Sequence, residues 1–185
     1  MGNNSFKAYS GMGGIRATEI YPLGNDLPSG ADNRFGGIFA SRSAGGADDM
    51  VFDVSKAGHL SAQDFRFAVN YDTDAYTDAV EFVENNKNLH GKPTKDEAEE
   101  ILEYMLEEKN IYANFAPEMG MDRWNELMGD EMHEAGWLAQ GLKGDLARHR
   151  GLDSVGMEDE YGESVLILNS GQIPTVRGLS HYSDP

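Results

Sequence analysis

A chain of 185 residues, 39% hydrophobic and 10% aromatic, is long enough for one ordinary core and is not generically disordered. It has no cysteine, which excludes disulfides, thiolate catalysis and cysteine-based zinc sites. Its 32 acids against 15 bases give a formal charge of −17, which disfavours direct nucleic-acid binding. A field of that sign speeds encounter with basic partners, although it equally serves plain solubility. No apolar run approaches the ~20 residues of a membrane helix, and the opening MGNNSFKAYSG lacks the apolar core of a secretory signal. A cytoplasmic location without membrane contact is the expectation.

In chain order, turn residues come first, with Pro22, Gly24-Asn25-Asp26 and Pro28-Ser29-Gly30 among them. Apolar runs at residues 6–9 and 37–41 read as strands, and 50–54 is a third. Residues 64–70, with Phe65, Phe67 and Val69 alternating, are a fourth candidate. Helical spacing takes over at 72–88, where Tyr76, Val80 and Val83 share one side. Thr94 and Glu97 form a T-x-x-E capping box ahead of Ile101, Leu102, Met105 and Leu106. A third helical region spans about 122–150, with a break expected near Gly136 or Gly144, and Gly151 stops it. Strands are expected again at 154–157, 164–169 and 175–177. From Asp72 to Glu134 there are 18 acids against 5 bases, the pattern of solvated helix faces. Strands, then helices, then strands predict a single α+β domain. Its parts are N-terminal strands and loops (1–71), acidic helices (72–150), C-terminal strands (151–178) and a tail (179–185).

Familiar motifs are weak. Gly11-Met12-Gly13-Gly14 lacks the following helix that a dinucleotide loop needs. The five histidines show no metal-ligand spacing, and no G-x-S-x-G elbow occurs. The densest chemistry lies where Glu158, Asp159, Glu160 and Glu163 crowd the turn between two strands. Like charges this close raise one another's pKa. From the residues alone, a solvated hairpin tip that blocks edge pairing is favoured over a functional role for the cluster.

The stretch from Trp137 to Ile167 nevertheless resembles the C-terminal part of the phage ADP-ribosyltransferases, both small anti-CRISPR enzymes and the transferase domains of polyvalent proteins. The matching residues are Trp137, Gln140, Gly151, Val155, Met157, Asp159, Glu160, Gly162 and Ile167. Leu168 to Ile173 is similar to the pattern that closes the last strand in the polyvalent domains. Upstream, Ala8-Tyr9-Ser10-Gly11 looks like the first NAD-binding strand and Gly37 to Ser41 like the second, with Ser10 standing where the family carries histidine.

The resemblance implies an ADP-ribosyltransferase-like split β-sheet core with an inserted acidic helical segment. It also implies NAD as substrate and a host protein as acceptor, with a basic nucleic-acid-binding CRISPR effector as the expected target. Breaking the nicotinamide–ribose bond passes through an oxocarbenium-like transition state that a fixed carboxylate stabilises. Asp159 is the first choice for that acid and Glu163 the second, with Glu160 serving the acceptor. Tyr9, Ser10 and Gly11 would bind NAD from the first strand, Phe39 would stack on nicotinamide, and Ser41 would bind its ribose. Arg16, or less favourably Arg34, would reach the pyrophosphate. An NAD glycohydrolase would need the same residues. A different class, a non-catalytic inhibitor whose acidic helices mimic nucleic acid, also fits the charge.

Overall fold

The structure is a computed structural model and describes residues 4–10, 37–42, 50–107, 115–159 and 162–168. Its elements run β1 (Ser5–Ser10), β2 (Ile38–Ser41), β3 (Met50–Ser55), β4 (His59–Leu60), α1 (Ala62–Asn70), α2 (Thr73–Glu84), α3 (Lys95–Glu107), α4 (Met121–Met128), α5 (Met132–His149), β5 (Ser154–Asp159) and β6 (Gly162–Ile167). The described helices all fall between β4 and β5, so the architecture is α+β. None of them is long and apolar enough to cross a membrane.

The strands join in one sheet of order β3-β1-β2-β6-β5-β4. All pairings are antiparallel except β4 with β5. The edge strands β3 and β4 are consecutive in sequence, so residues 56–58 must lead from one edge to the other. There the Lys56 amide donates to the Asn4 carbonyl at 3.0 Å, and the His59 amide to the Lys56 carbonyl at 3.3 Å. The sheet consequently curls towards a barrel.

Alternation along the strands divides the apolar residues between two cores. Ala8, Ala40, Phe52, Val54, Val165 and Ile167 pack together on the inner face, with Phe6 against them. Val155, Met157, Leu166 and Leu168 point the other way, into a larger core with the helices. There Trp124 lies edge-on to Tyr104 and to Phe115, with ring centroids 4.9 Å apart in each pair.

Helix starts follow local chemistry. The Asp72 side chain caps α2 by accepting from the Ala75 amide at 3.0 Å. The capping box before α3 forms in both directions: Thr94 N–H donates to Glu97 at 2.9 Å, and Glu97 N–H to the Thr94 hydroxyl at 3.2 Å. Arg123 on α4 then grips the same Glu97 carboxylate through two nitrogens, at 2.7 and 3.0 Å. That bond, first among several causes, holds the Glu97 carboxyl down at about 2.

The structure corrects two sequence-based expectations and adds one strand. Residues 64–70 are helical, not extended: Ala62, Phe65 and Val69 are buried at helical spacing while Phe67 is exposed. The capping hydroxyl of Ser61 accepts from the Asp64 amide at 3.1 Å and starts that helix. The third helical region breaks at Gly129, whose φ of 99° suits glycine, and α5 runs unbroken through Gly136 and Gly144. The two-residue strand β4 was not anticipated at all. Gly151 does end the last helix region, at φ 83°, while 175–177 lie outside the described residues.

Candidate active site

The registers bring the N-terminal and C-terminal candidates onto neighbouring strands. Tyr9 on β1 pairs with Ser41 on β2, Ser41 pairs with Ser164 on β6, and Ser164 pairs with Met157 on β5. One row thus crosses four strands. Two pairings along, on the same face, Phe39 opposes Leu166, which opposes Val155. Phe39 is half-buried and packs against the larger core that the helices share with the sheet. Tyr9 is half-buried and Ser41 is exposed.

Ser164 is only 7% exposed, and among the described residues its hydroxyl has no hydrogen-bond partner. A buried hydroxyl left unmet costs about 1–3 kcal/mol. This one sits beside Ser41 in the ladder.

The acidic strand ends join the same region. Glu163 pairs with Glu158, and Asp159, the last residue of β5, pairs with Gly162. Glu158 and Glu163 are both exposed. Glu163 alternates with Val165 and Ile167, which face the inner core, so it sits on the opposite face of the sheet from Ser41 and Phe39. The side chains of Asp159 and Ser10 lie outside the described set, as do Gly11, Arg16, Arg34 and Glu160.

The inner face carries polar residues that sequence reasoning did not select. The Arg42 guanidinium lies 3.9 Å above the Phe6 ring centroid, and the Phe6 ring meets the His59 ring edge-on at 4.8 Å. His59 Nδ1 is 2.9 Å from the hydroxyl of Ser154, which is fully buried. Burial first, then the Arg42 charge, push His59 down to about 4, against an opposing pull from Asp64. The imidazole is therefore neutral near pH 7.

Behind the acidic end of β5, a cavity of about 90 Å³ lies between α3 and α5. Tyr104, Gln140, Lys143 and Glu158 contribute its polar lining. Lys143 is 1% exposed and was also missed by sequence reading, although a signal existed. It occupies the i+4 slot of an apolar stripe formed by Ala139, Leu142, Leu146 and Ala147. A larger recess of about 450 Å³, between α2 and α5, holds none of the sequence-predicted site residues. Among the described residues, no group of three or more histidines and acids could hold a metal ion.

Comparison with known proteins gives one family. The profile of the anti-CRISPR type I-F ADP-ribosyltransferase AcrIF11 family matches residues 16–175. Among solved structures, the chain is similar to one described as the crystal structure of an anti-CRISPR protein. That likeness has 20% identity and a TM-score of 0.49, and covers 92% of this chain and 94% of the other. No curated protein sequence matches significantly.

Proposed function

Because the chain belongs to the AcrIF11 family of anti-CRISPR type I-F ADP-ribosyltransferases, we propose that it transfers ADP-ribose from NAD to a host protein with a basic, nucleic-acid-binding surface, such as a CRISPR effector. The observation that carries this reading is the pairing of β2 with both β1 and β6. It sets Tyr9, Phe39 and Ser41 beside the strand ends that bear Asp159 and Glu163. In this reading the nicotinamide ring stacks on Phe39 and its ribose lies against Ser41. The unmet hydroxyl of Ser164 in the adjacent strand supports a ligand rich in hydroxyls at that place. Tyr9, Ser10 and Gly11 hold the nicotinamide end from β1, and Arg16 reaches the pyrophosphate.

A carboxylate at the end of β5 stabilises the positive charge that grows on the ribose as nicotinamide departs. Asp159 takes this role ahead of Glu163, because Glu163 stands on the opposite sheet face from Phe39 and Ser41. Glu160 orients or deprotonates the acceptor. Incubation with labelled NAD and a type I-F effector complex is expected to release nicotinamide and to add the mass of one ADP-ribose to a subunit. Asp159→Ala is expected to lower that rate at least ~100-fold. Absence of both label transfer and nicotinamide release from the wild type removes the reading.

The charge of residues 72–134 favours one further reading, an acidic decoy that occupies a basic surface without catalysis. It requires inhibition to survive both Asp159→Ala and Glu163→Ala.

A further inference from the structure

α1 buries Phe65 and Val69 and turns Phe67 outward, at 39% exposure, while Tyr71, its C-cap, is 80% exposed. The two rings stand one turn apart with centroids at 5.2 Å, so aromatic surface lies open at the end of the helix. Its surroundings are acidic. Asp64 lies on the same stripe of α1, three residues before Phe67, and Asp72 and Asp74 follow Tyr71 into α2; all three are exposed. Over residues 62–84 six acids stand against one base, Arg66, whose guanidinium carbon is 5.7 Å from the Phe67 ring centroid. The last turn of α1 holds no basic residue, so the partial negative charge of its terminal carbonyls adds to the carboxylates.

Flat aromatic surface inside a negative field suits a guanidinium, whose plane stacks on a ring while its N–H groups reach carboxylates. Nucleic acid is repelled there by its phosphates, and a second copy of this chain by its charge of −17. We propose that the Phe67–Tyr71 corner, with Asp64, Asp72 and Asp74 around it, is a docking surface for an arginine-bearing segment of a protein partner. The other end of α1 is seated on β5, where Gly156 leaves room for Ser61 and Ala62. A partner held at the corner is therefore held in a set relation to the strand that ends in Asp159. Identifying that partner with the acceptor of ADP-ribose rests on the transferase reading; the surface itself does not.

Titration of an oligo-arginine peptide into the full chain, followed by amide NMR, is expected to move signals concentrated on residues 64–74. The double variant Phe67→Ser, Tyr71→Ser is expected to weaken that binding about fivefold or more with little change in melting temperature. Shifts spread evenly over α2 and α3, or an affinity that the double variant leaves unchanged, overturn the docking surface. Should the double variant fail to fold, Tyr71→Ser alone removes only an exposed ring and decides with the same sign. With a type I-F effector complex as acceptor, the double variant is expected to raise KM for the complex about tenfold and to leave KM for NAD unchanged. An unchanged KM for the complex overturns the role of the corner in target docking. A wild type that neither binds nor modifies that complex defeats the choice of target alone, and the peptide titration still decides the surface.

Discussion

His59 shows how position, not residue type, sets chemistry on the inner face of the sheet. A histidine held down at about 4 stays neutral in the folded chain while its unfolded counterpart protonates near 6.5. The unfolded state thus binds more protons between those values, and stability falls as pH drops from about 6.5 to 4. With its partial exposure discounted, the loss is about 1–2 kcal/mol. Glu97, depressed to about 2, adds a separate loss as pH falls from about 4.5 towards 2. Thermal midpoints taken between pH 7 and 3 are expected to decline in both windows, and His59→Asn to flatten only the upper one. The shift at His59 was not legible beforehand, because a lone histidine that opens a two-residue strand has no periodicity to betray its burial. Lys143 differed: its place in an apolar stripe was visible in the spacing of Ala139, Leu142, Leu146 and Ala147.

At the scale of elements, the sequence spoke clearly where caps and periodicity agreed. β1, β2, β3 and the capping box at Thr94 stand close to where the patterns placed them. It misled at residues 64–70, because Phe65, Phe67 and Val69 alternate like a strand while Ala62, Phe65 and Val69 also satisfy helical spacing. Ser61 and Asp64 break that tie in favour of a helix. Tertiary contact then fixes where α1 sits. A Cβ added at Gly156 on β5 would lie 2.7 Å from the Ala62 amide and 3.0 Å from Ser61 Cα, both backbone atoms that cannot rotate aside. Gly156→Ala is expected to push the start of α1 off the sheet and to cost about 1–3 kcal/mol in denaturant unfolding.

For the whole molecule, the excess of acids is the property most directly readable from composition, and it bears on association rather than on fold. The α+β arrangement was legible in the order of the elements, and the transferase reading in one C-terminal stretch. The contacts between that stretch and the first strands were not, since strand pairing over such separations leaves no local trace. If the acidic surface guides the chain to a basic partner, association should slow steeply with added salt while dissociation changes little. Stopped-flow binding to a target subunit at 50 and 300 mM salt is the measurement; an association rate indifferent to salt removes the acidic surface from the encounter.

β2 is held on one side by β1 and on the other by β6, so the strand that unites the two groups of candidate residues is anchored by segments that lie before and after all the described helices. Helices between them can form from local contacts as they leave the ribosome, but this central ladder waits for β6 to emerge. Any activity that needs both groups of residues together is thereby withheld from a nascent chain until β6 has been made.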